Sequence, residues 1–72
     1  KKYSWQNILA FAKKRNIDLY DDQTFVDRYI NESNIPYWNI SWLDKDEGFF
    51  RDIAIDARNG HIIKESISYG EK

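Results

Sequence analysis

Phe49-Phe50-Arg51-Asp52-Ile53-Ala54-Ile55-Asp56-Ala57-Arg58-Asn59-Gly60-His61-Ile62-Ile63 decides the fold. Ile53, Ile55 and Ala57 alternate with Asp52, Ala54 and Asp56, the chain breaks at Asn59-Gly60, and an aliphatic run follows. Strand, Asn-Gly, strand is a strong local signature of a β-hairpin. Two registers are open to it. A two-residue Asn59-Gly60 turn sets Ile55 opposite Lys64. A three-residue Arg58-Asn59-Gly60 loop closing in a Gly bulge sets Ile55 opposite Ile63 and Phe49 opposite Tyr69. The second is preferred, because it puts Ile63, Ile67 and Tyr69 on the face of Ile53 and Ile55, with Glu65 as the one charged intruder.

Upstream, Trp38, Ile40 and Trp42 alternate with Tyr37, Asn39 and Ser41, which predicts a half-buried strand that Pro36 can only begin. The polar break Asp44-Lys45-Asp46-Glu47-Gly48 joins it to the next strand. Side chains alternate with period two, so a shared apolar face demands an even loop. A four-residue loop, Lys45 to Gly48, pairs Ile40 with Ile53 and Trp38 with Ile55.

Two helices are predicted before the sheet. Trp5, Ile8, Leu9 and Ala12 follow the N-capping type Ser4 at helical spacing, and Lys13, Lys14 and Arg15 suit the last turn before Asn16, giving a helix over 4–15. Phe25, Val26, Tyr29 and Ile30 share one helical face after Asp21-Asp22, giving a second over 22–32 that ends before Pro36. With strands at 36–43, 49–57 and 61–69, the expectation is one small α+β domain, residues 1–72. Two N-terminal helices pack on one face of a three-stranded antiparallel meander.

With 72 residues and no cysteine, the core is expected to come from aromatics, supplied by three Trp, five Tyr and four Phe. A formal net charge of −1 offers no footprint for a phosphate backbone, so no nucleic-acid partner is expected. No apolar run nears the ~20 residues that span a bilayer, so this segment is not expected to insert. The chain starts at Lys1, which suggests a trimmed product, either a mature secreted chain or an excised domain.

Reactive chemistry is scarce. The single His61 flanks a turn without a nucleophile beside it, and zinc would need more His or any Cys. Asp44, Asp46 and Gly48 begin like a calcium loop, but Phe49 and Ile55 stand where that pattern wants Gly and Glu. Asp18, Asp21, Asp22 and Asp27 read as capping and solvating carboxylates, and Asp52 and Asp56 lie about 13 Å apart along one strand, too far for acid/base work. No enzyme activity, cofactor or metal is expected. The remaining candidate is a partner-binding surface on the outer sheet face, formed by Tyr37, Leu43, Phe50 and Ile62.

Trp38-Asn39-Ile40-Ser41-Trp42, then Asp46-Glu47-Gly48, then Phe50-Arg51-Asp52-Ile53-Ala54-Ile55-Asp56-Ala57, then Asn59-Gly60-His61-Ile62 resembles the PepSY domain. That module occurs in propeptides of thermolysin-like metalloproteases and in many secreted or membrane-anchored bacterial proteins. The resemblance covers about residues 35–64. Asn59 stands where the family commonly has Thr, and the family usually has one Ala-rich helix where two are expected here. It implies a non-enzymatic, extracytoplasmic interaction module that restrains a protease or another envelope protein. A structural or assembly domain of a larger bacterial surface or mobile-element protein is the competing reading.

Overall fold

In a computed structural model, which describes residues 2–68, one helix precedes a four-stranded antiparallel sheet. The helix α1 is Trp5–Arg15, and the strands are β1 (Phe25–Ile30), β2 (Pro36–Asp44), β3 (Phe49–Asp56) and β4 (Ile62–Ser68), ordered β1-β2-β3-β4. The α+β class stands, but two helices over three strands does not: the segment expected as a helix over 22–32 holds strand β1.

The ends of α1 follow from its terminal residues. Asn7 Oδ1 accepts the Ser4 backbone N–H at 2.8 Å and the Ser4 hydroxyl at 3.1 Å, which occupies groups the first turn leaves unpaired. At the other end Asn16 adopts a left-handed conformation with φ 59. Its N–H reaches the Lys13 carbonyl at 3.3 Å, and the Ile17 N–H reaches the Ala12 carbonyl at 2.8 Å. This double closure also carries Ile17 back into the core beside Ala12.

β1 displaces the expected helix for reasons visible in its residues. Phe25, Val26, Tyr29 and Ile30 are aromatic and β-branched types that lose rotamer freedom in a helix and pack well on a pleated surface. Their spacing also fits two strand faces, Phe25-Asp27-Tyr29 and Val26-Arg28-Ile30, and six residues are too few for periodicity to separate the alternatives. The flanking carboxylates do not cap a helix. Asp18 Oδ1 accepts the Tyr20 N–H at 2.9 Å and Asp21 Oδ1 the Gln23 N–H at 2.7 Å, so both shape turns. Asn31 then closes the hairpin to β2 by accepting the Ser33 and Ile35 N–H groups at 2.9 and 3.0 Å.

The parity argument for β2 and β3 matches the observed register: Ile40 lies opposite Ile53, and Trp38 opposite Ile55. The last hairpin departs from expectation in one detail. Phe50 lies opposite Ser68 and Ile53 opposite Glu65, the alignment that the three-residue loop requires. Near the turn, however, Ile55 pairs with Ile62, and the Asp56 N–H reaches the His61 carbonyl at 2.8 Å. The loop is therefore four residues, 57–60, and the extra residue sits inside β4 at Ile63 and not at the turn Gly. The expected pairing of Phe49 with Tyr69 lies outside the described residues.

The core lies between α1 and one face of the sheet. Ile8 and Ala12 of the helix and Ile17 after it meet Ile40, Ile53 and Ile55, with Trp38, Trp42, Phe11, Leu19, Val26 and Tyr3 around them. None of the described aromatics reaches full burial, so isoleucine and not Trp or Phe forms the centre. The N-terminal segment locks this layer to the sheet edge-on. Tyr3 N–H donates to the Ala57 carbonyl at 2.8 Å, and its carbonyl accepts the Trp38 indole N–H at 2.8 Å. Glu65, the expected intruder on this face, lies 3.8 Å from Arg15 of the helix.

Gly60 has φ 82, and a Cβ there would come within 2.5 Å of the Tyr3 ring. Gly60→Ala is expected to destabilise the domain by about 2 to 4 kcal/mol in urea denaturation, combining the left-handed backbone cost with the collision. Removing the ring in a Tyr3→Ala background should reduce that loss to about 1 to 2 kcal/mol, the conformational part alone. Gly48, with φ 80 and open space around it, should lose only that smaller amount when replaced by Ala.

Candidate functional site

The strand register divides every strand between two faces, and only one meets the helix. The other presents Phe25, Asp27 and Tyr29 from β1, and Tyr37, Asn39, Ser41 and Leu43 from β2. β3 adds Phe50, Asp52 and Ala54, and β4 adds Lys64, Ser66 and Ser68. Directly opposed residues share a face, so these form rows across the sheet. Leu43 and Phe50 stand side by side at one end, with Phe25 two residues nearer the centre. Tyr29 and Tyr37 stand at the other end with ring centroids 5.5 Å apart. Asp27, Asn39, Ala54 and Lys64 run between them as a polar row.

Ala54 is the smallest side chain on this face and lies on a central strand, so its neighbours rise around it. The result is a shallow hollow of about 380 Å³, lined by Tyr37, Asn39, Asp52, Ala54, Ile63 and Lys64 among others. Phe25 and Tyr29 are 54% and 47% exposed, so the aromatic surface is open to contact. The negative charge of Asp27, followed by burial, raises the Tyr29 hydroxyl above its ordinary pKa.

Of the residues picked from the sequence, Tyr37, Leu43 and Phe50 do share this face, and Leu43 lies directly opposite Phe50. Ile62 does not join them. It lies opposite Ile55, on the helix side, and the bulge turns Ile63 toward the hollow in its place. The sequence reading also missed Phe25, Asp27 and Tyr29, which it assigned to a helix; their alternation with Val26, Arg28 and Ile30 was the signal.

Asp56 and Asp44 have structural work. Asp56 Oδ1 accepts the Arg58 N–H at 2.8 Å and its Nε at 3.1 Å, and Oδ2 accepts Nη2 at 2.9 Å. The Arg58 side-chain hydrogen bonds, then the backbone one, lower the Asp56 pKa from 3.8 to about 2. Asp44 Oδ1 accepts the Asp46 and Glu47 N–H groups at 3.1 Å each, and Oδ2 takes the Arg51 Nε at 2.9 Å. That use of Asp44 shapes a hairpin loop. His61 is exposed beside the turn, and its backbone N–H donates to Asn59 Oδ1 at 2.9 Å. No helix of the described residues is long and apolar enough to cross a membrane. No family model, curated protein or solved structure matches the chain.

The depressed Asp56 pKa gives a pH signature. The Asp56–Arg58 contribution is complete above the ordinary value of 3.8 and is lost as pH falls through about 2. Asp56→Asn keeps the turn acceptor but removes the charge. It should be less stable than wild type by a constant amount above about pH 5, and the gap should close between pH 4 and pH 2. Thermal melts across that range check this, and a gap that does not change with pH contradicts it.

Proposed function

We infer that the chain is a non-catalytic protein-interaction module of PepSY type that engages another polypeptide through the helix-free face of its sheet. The observation that supports this most is the grouping of Phe25, Leu43 and Phe50 at one end of that face, away from the core that α1 covers. Apolar side chains gathered on an otherwise polar face favour a partner that removes them from water. The PepSY resemblance at residues 35–64 is the second support. Of the two segments that competed for the family's single helix, the one carrying Ala10-Phe11-Ala12 is the helix here, while β1 is a strand beyond the pattern on which the resemblance rests. On this reading the module is extracytoplasmic and restrains a protease or another envelope protein.

A second reading, an assembly domain of a larger surface or mobile-element protein, draws on the two edge strands. β1 and β4 each have one side unpaired within the sheet and could add a strand from another chain. Asp27-Arg28 and Lys64-Glu65 sit in the middle of those edges. Charges there disfavour indiscriminate pairing, which makes the face the better surface than the edges.

The test is capture from the native envelope fraction with tagged wild type, Phe50→Asp and Tyr20→Asp, the last a 91% exposed residue in the connection between α1 and β1. A polypeptide should be retained by wild type and Tyr20→Asp and depleted at least tenfold by Phe50→Asp. Equal retention by Phe50→Asp, or no retained polypeptide at all, contradicts the reading.

A further inference from the structure

The helix-free face is self-complementary under one symmetry operation. A two-fold axis parallel to the strands, placed between two sheets stacked face to face, inverts strand order while keeping each row at its own level. β1 of one copy then lies over β4 of the other, and β2 over β3. Asp27, Asn39, Ala54 and Lys64 occupy one row. The operation therefore brings Asp27 of each copy over Lys64 of the other, forming two reciprocal ion pairs. In the same arrangement Leu43 meets Phe50 of the second copy twice, and Asn39 faces the hollow above Ala54. The other in-plane axis, across the strands, stacks β1 on β1 and β4 on β4 and leaves Asp27 and Lys64 without an opposite charge.

Within one chain, Asp27 and Lys64 stand at opposite edges, about 14 Å apart at three strand spacings. Among the described residues neither is in an ion pair. The size also fits. Four strands of six to nine residues make a face of about 19 by 25 Å, on the order of 500 Å² in plan. Side-chain relief raises its accessible area toward the about 800 Å² per partner of a stable interface. The chain's near-neutral formal charge of −1 opposes self-association little.

We propose that the occupant of the helix-free face is a second copy of this chain, giving a two-fold dimer with layers helix, sheet, sheet, helix. The two sheets pack face to face about 10 Å apart, with their strands near alignment. The proposal rests on the interaction reading above and names its partner. Sandwiching buries the Phe25, Leu43 and Phe50 surface that α1 cannot reach, and the Asp27–Lys64 pairs at the rim set the register between copies.

Sedimentation equilibrium of the chain tests it, with circular dichroism confirming that each variant keeps the fold. Wild type should show twice the 8.7 kDa chain mass. Asp27→Lys and Lys64→Asp should each weaken the dimer about tenfold, since each puts like charges face to face twice. The double variant Asp27→Lys/Lys64→Asp should recover to within about threefold of wild type, because the reversed pairs attract again. Phe50→Asp should sediment as a monomer. A monomeric wild type at millimolar concentration overturns the proposal, as does a dimer indifferent to Phe50→Asp or single variants that the double does not rescue. If the wild type is monomeric while the envelope capture yields a different polypeptide sensitive to Phe50→Asp, self-pairing falls and the interaction reading stands. If both experiments are blank, both fall.

Discussion

The packing of Ile8 and Ala12 onto Ile40, Ile53 and Ile55 is the contact on which the rest of the domain depends. These five side chains are 0 to 2% exposed and come from the helix and the two central strands. Each fully buried isoleucine contributes about 1.5 to 3 kcal/mol, a large share of the small net stability a chain of this size can reach. Part of the aromatic set sits around this centre, with Tyr3, Phe11, Trp38 and Trp42 packed against it. Trp5 and Trp38 contact at 6.0 Å between ring centroids, and Arg28 and Arg51 lie 5.1 and 5.0 Å over Trp38 and Phe49. Their amphipathic rings cover the boundary of the core and use their polar atoms there, as the Trp38 indole does with the Tyr3 carbonyl.

Around that centre the connections are built on one repeated device. Asp18, Asp21, Asn31, Asp44, Asp56 and Asn59 each accept, through a side-chain oxygen, the backbone N–H two residues on. Every connection between elements contains at least one such turn. Four of these six are aspartates, so a third of the chain's twelve acidic residues shape turns. The device also explains a misleading signal: Asp21 before an apolar segment reads as the start of a helix, while its carboxylate in fact ends a turn before a strand.

Helix α1, the strands β2 and β3 and their register were legible in the sequence, because the apolar period there runs long enough to separate 3.6 from 2. The parity of Trp38, Ile40, Ile53 and Ile55 left one sensible loop length. β1 was not legible, since Phe25, Val26, Tyr29 and Ile30 satisfy both periods within six residues and only the open edge of β2 decides between them. The site suffered from the same ambiguity. Phe50, Leu43 and Tyr37 could be placed from strand parity, whereas Phe25 and Tyr29 were hidden by the helix assignment. The exchange of Ile62 for Ile63 follows from a bulge at Ile63, three residues past the turn Gly60 where turn chemistry locates it, and a single-residue shift moves a side chain to the opposite face.

On the proposed reading the two faces of the sheet divide the work: one folds the chain, and the other takes a partner. Urea unfolding at several protein concentrations measures this division most directly. For wild type the midpoint should rise with concentration, as association on the outer face adds to the stability set by the isoleucine centre. For Phe50→Asp it should be independent of concentration, with unfolding still cooperative. Loss of cooperative unfolding in Phe50→Asp would place the outer face in the folding core, and that result would contradict the account.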